Sequence, residues 1–166
     1  MSGRAAGVPS VTPAELRDFA GRFTTGVTVV TTCDAAGNPY GLTMNAVTSL
    51  SLDPPLLLIC VDRTSSTHAL LCASGVFGVN VLRSGQTAVS NWFASKRPDK
   101  FAASGYEFGR LGVPLLHDAL AVAECRITQV SAGGDHDIIV GAVAHTDVRS
   151  GDPLVFYRGA YARLES

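Results

Sequence analysis

Ahead of Gly26 the apolar residues recur at helical spacing. Leu16, Phe19, Ala20 and Phe23 stand at i, i+3, i+4 and i+7, one stripe of an α-helix. Thr12-Pro13-Ala14-Glu15 supplies its start: a capping box with proline at the first helical position, where the missing N–H costs nothing. The stripe predicts that this helix lies against the body of the protein. Residues 1–11 are small and polar and are expected to form a flexible N-terminus. From Gly26 onward the period changes. Residues 27–32 are β-branched throughout, and the polar cluster 34–39 separates them from residues 40–45, which predicts a hairpin. Pro54-Pro55 is expected to stop pairing before residues 56–61, a continuous apolar run predicted to be a strand buried on both faces. Ser65 or Ser66 can cap a short helix that runs through Leu70 and Leu71 and ends at Gly75. Residues 76–82 read as a strand and 86 to about 94 as a helix. Residues 120–130, 138–148 and 154–157 are strands again, with a turn at Gly133-Gly134-Asp135-His136.

Six or seven strands with short helices between them suit a closed or partly closed antiparallel barrel, which removes sheet edges. Parallel pairing would need helices of ten or more residues between consecutive strands, and several connections are too short for that. With no repeat or linker in 166 residues, residues 12–166 are expected to form a single, mainly β (α+β) domain. Charged residues are only 16% of the chain, against about 25% in average usage, and 46% are hydrophobic. That apolar surplus fits a fat core, a subunit interface or a large flat ligand equally well.

A net charge of −1 gives no basic field for counterion release, so nucleic acid is not an expected partner. No window approaches a membrane-spanning length of apolar residues, and residues 1–10 lack the apolar stretch of a secretory signal, so a cytoplasmic protein is expected. Cys33, Cys60, Cys72 and Cys125 are scattered and read as reduced thiols; four separated histidines without i, i+4 pairing give no metal site.

Three segments place polar groups where a core does not need them. Thr43-Met44-Asn45-Ala46-Val47-Thr48-Ser49-Leu50-Ser51 puts five hydrogen-bonding side chains into an apolar region, which a solvated strand face would also do. Thr64-Ser65-Ser66-Thr67 offers hydroxyls at a helix N-terminus, where the dipole favours an anion such as phosphate, although a simple cap uses the same residues. Gly133-Gly134-Asp135-His136-Asp137 carries a histidine flanked by carboxylates, an arrangement equally open to an exposed loop. No Walker A sequence, G-x-G-x-x-G or G-x-S-x-G elbow is present.

The order of the segments narrows these alternatives. Phe23-Thr24-Thr25-Gly26-Val27-Thr28-Val29-Val30-Thr31 is followed by Gly41-Leu42-Thr43-Met44-Asn45-Ala46 and Ser49-Leu50-Ser51-Leu52-Asp53-Pro54-Pro55. Next come Ser74-Gly75-Val76-Phe77-Gly78-Val79-Asn80-Val81-Leu82, Lys100-Phe101, Gly134-Asp135-His136 and Tyr157-Arg158-Gly159-Ala160-Tyr161. Over residues 13–164 this series closely resembles the flavin reductase family, the small reductase components of two-component flavin-dependent monooxygenases. The resemblance implies a flavin-binding split β-barrel that works as a homodimer. It also implies a reaction in which NADH (or NADPH) reduces free FAD (or FMN) for a separate monooxygenase.

Carried over by position, Thr43, Met44, Asn45 and Ala46 lie along the flavin ring edge with Ser49 and Ser51 nearby. Cys60 and Val61 end the strand beneath it, Ser66 and Thr67 stand by its phosphates, and Phe77, Asn80 and Val81 line the same pocket. Thr25, Lys100 and Tyr161 fall in the matching blocks and join the cofactor-binding set. Gly134, Asp135 and His136 form the turn that approaches the nicotinamide, which makes His136 the candidate catalytic residue. Many relatives have Asn-Ser where this chain has Asn45-Ala46, so one hydroxyl toward the flavin is missing. The resemblance also leaves a second reading, a non-enzymatic flavin- or heme-binding carrier or sensor on the same barrel. No Lys/Arg clamp is visible in the sequence, which predicts moderate flavin affinity, and no basic cluster adjoins Gly134-Asp135-His136, which argues against binding a 2′-phosphate.

Overall fold

A computed structural model describes residues 11–102 and 104–164. The expected flexible segment lies, for residues 1–10, outside the described residues. In chain order the elements are α1 (Pro13–Gly21), β1 (Thr25–Gly26), β2 (Thr28–Cys33), β3 (Pro39–Met44), β4 (Val47–Leu52), β5 (Pro55–Asp62), α2 (Ser66–Ser74) and β6 (Val76–Val81). They continue with α3 (Thr87–Ala94), β7 (Tyr106–Phe108), β8 (Pro114–Leu116), β9 (Ala121–Gly133), β10 (His136–Val148), β11 (Val155–Tyr157) and β12 (Ala160–Ala162).

Seven strands form one antiparallel sheet in the order β3-β2-β6-β9-β10-β5-β4. Its two edge strands, β3 and β4, are consecutive in the chain with only Asn45 and Ala46 between them. Two residues span little more than one strand spacing, so the sheet must curl until its edges meet. The edges do not pair, and the result is a split antiparallel β-barrel with short peripheral helices, open along the β3/β4 seam. β1, β11 and β12 make a separate three-stranded sheet, and β7 pairs with β8.

Alternation along the strands sends side chains to two cores. Val30, Ile59, Val61, Phe77, Val79, Cys125 and Ile139 belong to one; Val27, Val29, Leu82, Phe93, Val113 and Val122 belong to the other, which packs under α3 and the C-terminal strands. Asn80, fully buried between them, spends its whole amide on the fold: Nδ2 donates to Val29 O (3.0 Å) and Thr31 Oγ1 (3.3 Å), and Oδ1 accepts the Leu116 N–H (2.7 Å).

The helix ends follow their sequence signals. Both halves of the Thr12/Glu15 capping box form, Ser65 caps α2, and Gly75 closes α2 in the left-handed region at φ 69°. Three expectations are corrected. Helix α1 does not lie against the body: none of its residues is buried, and Phe19 and Phe23 are 72% and 75% exposed. The proline pair does not stop pairing, since Pro55 opposes Leu52 and β4 and β5 form a hairpin around Asp53-Pro54. Nor is β5 buried on both faces. Ile59 and Val61 enter the barrel, whereas Leu56, Leu58 and Cys60 alternate onto an outer face that no other layer of the described chain fully covers.

Candidate active site

Three cavities follow one another along the seam, with the end of β3 as their spine. The first, about 650 Å³, opens at the mouth of the barrel and is mostly apolar, with Phe23, Val47, Leu57, Val79, Val81 and Val148 in its walls. Its polar lining comes from Thr25, Thr28, Asn45, Thr48, Ser49 and others. Asn45 also lines the second cavity, about 220 Å³, together with Thr43, Met44, Ser90 and Tyr161. Thr43 in turn lines the third, about 630 Å³, where Ser65 and Ser66 at the start of α2 face Lys96, Arg97 and Lys100. A further recess of about 340 Å³ continues past Ser66 and Thr67 to Pro39, Tyr40 and Pro98.

Each polar group is held in place locally. Thr43 Oγ1 donates to Ser90 O (2.6 Å), and the Tyr161 hydroxyl bridges Ser90 Oγ and Asn91 Oδ1 (both 2.8 Å), so β3, α3 and β12 are tied together around the second cavity. Lys100 Nζ donates to Gly41 O (3.1 Å) and Phe93 O (2.8 Å), and burial pushes its pKa down. Arg97 stacks on the Trp92 ring at 4.3 Å. The carboxylate of Asp62 accepts the Thr64 N–H (2.7 Å) and hydroxyl (2.8 Å), which holds it below the usual carboxylate range and shapes the turn into α2.

The Gly134-Asp135 turn closes the β9–β10 hairpin, with Gly134 at φ 74°, a region that favours glycine. His136 begins β10 directly opposite Asp62, a wall of the third cavity, so the hairpin tip adjoins that cavity's edge. His136 Nδ1 lies 2.7 Å from Asp135 Oδ1, and this bond holds the Asp135 carboxyl below its ordinary value.

Of the residues singled out in the sequence, Thr25, Thr43, Met44, Asn45, Ser49, Ser66, Thr67, Val81, Lys100 and Tyr161 line the connected cavities. Ala46 sits on the seam, its carbonyl accepting the Cys60 N–H at 3.0 Å. Ser51 and Cys60 belong to the β4–β5 hairpin beside it, and Val61 points into the barrel. Phe77 and Asn80 are corrected: both have zero exposure and form the wall behind the site, so neither presents a surface to a ligand.

Sequence reasoning missed two groups of cations. Lys96 and Arg97 face the α2 N-terminus with Lys100. The dense charge run 96–100 was their only signal, and the α3 turn that aims it is a tertiary feature. Arg63 lies beside the Gly-Asp-His turn, its backbone N–H bonded to Asp135 O (3.1 Å). A basic residue therefore does adjoin the turn, delivered from the end of β5, although its guanidinium is paired with Asp137 at 2.6 Å.

The lining changes from apolar through hydroxyl and amide groups to cationic, which matches a flat ring with a polar edge and a phosphate tail. Thr25 Oγ1 supports that fit: it is buried without a hydrogen-bond partner in the wall of the first cavity, a costly state unless something bound there bonds to it. A split barrel with such a seam is the architecture of a nucleotide-cofactor-binding protein. The chain belongs to the flavin reductase family: residues 20–165 match the Flavin reductase like domain.

Among its relatives, a Rhizobium meliloti protein named "Probable flavin reductase" is 45% identical over 90% of this chain, which spans only 48% of that protein's length. The reductase subunit HsaB of a flavin-dependent monooxygenase from Rhodococcus jostii is 40% identical over 94% of this chain and 80% of its own. Among solved structures, the Streptomyces globisporus NADH:FAD oxidoreductase SgcE6 superposes with a TM-score of 0.88. It is 37% identical and matched over 96% of this chain and 99% of its own.

Proposed function

We propose that the chain is an NADH:flavin oxidoreductase that reduces free FAD or FMN and supplies reduced flavin to a partner flavin-dependent monooxygenase. The observation that carries this is the continuous seam surface, with its unpartnered Thr25 hydroxyl at the apolar end and its cations at the other. The names of the relatives support NADH as the donor and a monooxygenase as the partner. Residues 12–166 act as one domain, in the cytoplasm, where both cofactors circulate; no helix among the described residues is long and apolar enough to cross a membrane.

Hydride transfer from a nicotinamide to a bound flavin is the cofactors' own chemistry. The chain's part is to orient them. Asn45, the Ala46 backbone, Ser49 and Thr25 meet the ring edge, while Thr43 and Tyr161 hold the seam in shape. Ser66, Thr67 and Lys100 take the phosphate, and the hairpin tip brings His136 to the nicotinamide side. Orientation of this kind lowers a barrier by several kcal/mol without an acid–base residue. Mixing the purified protein with NADH and excess FAD tests the reading: rapid flavin-dependent loss of the nicotinamide absorbance is expected, and its absence with both NADH and NADPH sinks it in favour of a carrier. His136→Ala is expected to raise the KM for NADH roughly tenfold while that for flavin stays within about twofold.

The exposed stripe on α1, with Leu16 at 56%, and Leu52 at 92%, fits a face covered by a second copy. A homodimer follows, and sedimentation is expected to give the mass of two chains. Leu16→Glu/Phe19→Glu, placed outside the cavities, is expected to shift that mass to a single chain.

A further inference from the structure

Behind the hairpin tip lies an ion cluster that takes no part in the seam. Arg63 Nη2 and Nε both reach Asp137 Oδ1, at 2.6 and 2.7 Å, and His68 Nε2 lies 2.7 Å from Asp137 Oδ2. The bond to Arg63, then that to His68, holds the Asp137 carboxyl below its ordinary range. Both oxygens of one carboxylate are thus used, by groups on different elements. Arg63 follows β5 and also donates its backbone N–H to Asp135 O (3.1 Å); His68 lies in the first turn of α2.

The segment 62–68 therefore does two things at once. Its Asp62 turn and Ser65 cap build the α2 N-terminus that faces the third cavity, and its Arg63 and His68 grip the β10 strand at the residue after His136. A two-residue hairpin tip with exposed Gly134 and Asp135 has little packing of its own. Without the grip, the tip would be held to this segment by backbone pairing alone, at His136 opposite Asp62 and through the Arg63 N–H to Asp135 O.

We propose that Asp137 is a positioning residue for His136: it locks the β9–β10 tip to the segment carrying the α2 N-terminus, and so sets where His136 stands relative to bound flavin. The proposal rests on the reading of His136 as nicotinamide-facing. Displacements of about an ångström can cost a factor of a hundred in rate; the α2 N-terminus keeps its own Asp62 turn and Ser65 cap, so the lock acts on the NADH half of the reaction and not on flavin binding.

The test is a double-mutant cycle of Asp137→Ala with His136→Ala. For each variant kcat/KM for NADH is measured, flavin affinity is titrated by fluorescence without NADH, and amide exchange is followed at Arg63 and the hairpin tip. Asp137→Ala alone is expected to lower kcat/KM for NADH about tenfold. Flavin affinity should stay within about twofold while exchange at Arg63 quickens. Asp137→Asn should restore part of the loss, since its amide oxygen still accepts one bond. In the His136→Ala background Asp137→Ala should have no further effect. An equal loss with and without His136, or a parallel loss of flavin affinity, overturns the proposal alone. An unchanged kcat/KM in His136→Ala overturns the reading of His136 and the proposal with it.

Discussion

Replacing Lys96 with Ala and Lys100 with Met together is expected to raise the KM for both FAD and FMN by roughly tenfold to a hundredfold, and to leave riboflavin, which has no phosphate, nearly unchanged. A charge-assisted hydrogen bond contributes about 1.5–3 kcal/mol, and each 1.4 kcal/mol is a factor of ten. Both lysines line the cavity at the α2 N-terminus, where Ser65, Ser66 and the helix dipole already favour an anion. Lys100→Met keeps an unbranched side chain of similar reach but removes the donors to Gly41 O and Phe93 O. Steady-state kinetics with the three flavins checks the point. A loss that includes riboflavin to the same degree shows that the fold, and not a phosphate contact, was damaged.

Phe77→Ala is expected to cost about 3–5 kcal/mol of stability, a large part of the roughly 5–15 kcal/mol that holds a domain together. Phe77 is fully buried in the barrel, and its ring is packed so tightly under β10 that a Cβ on Gly141 would fall 2.6 Å from it. Gly141→Ala alone should therefore overpack the site by about 1–3 kcal/mol. Pairing it with Phe77→Leu should recover part of that, an interaction that thermal unfolding of the single and double variants reads directly. Flavin affinity measured well below the melting temperature should change far less than stability, because the side chain backs the seam without touching it.

The elements were legible because their signals are local. The capping box at Thr12, the Ser65 cap, the left-handed Gly75 and the β-branched run 27–32 each act within a few residues, and each appears where its chemistry places it. Of the candidate residues, Thr25, Thr43, Asn45, Ser49, Ser66, Lys100 and Tyr161 come from seven separate elements or loops and meet along one seam.

What failed to be legible depends on what covers a face. The apolar spacing of Leu16, Phe19 and Phe23 specifies a stripe but not its partner, and within the described chain nothing covers it. Residues 56–61 read as buried on both faces because a continuous apolar run cannot say how many layers will pack on it; in the barrel one side is interior and the other is half-open. Phe77 and Asn80 share a motif with residues that line the seam, but Phe77, on the same face of β6 as Val79 and Val81, is packed wholly inside the barrel, and Asn80, on the opposite face, is closed in by its bonds to Val29, Thr31 and Leu116.

The sequence by itself determined a β-rich chain, the places of most of its longer elements and its family, since those rest on local propensity and on the order of short motifs; it did not mark β4, β7, β8 or β12 as strands. Only the tertiary structure decided which side chains share a surface. Curling the sheet until β3 meets β4 places Asn45 between two cavities, turns the charge run at 96–100 toward the α2 N-terminus, and carries Arg63 and His68 to Asp137. Contacts between residues some seventy positions apart follow from strand register and closure, and no local pattern in the chain encodes them.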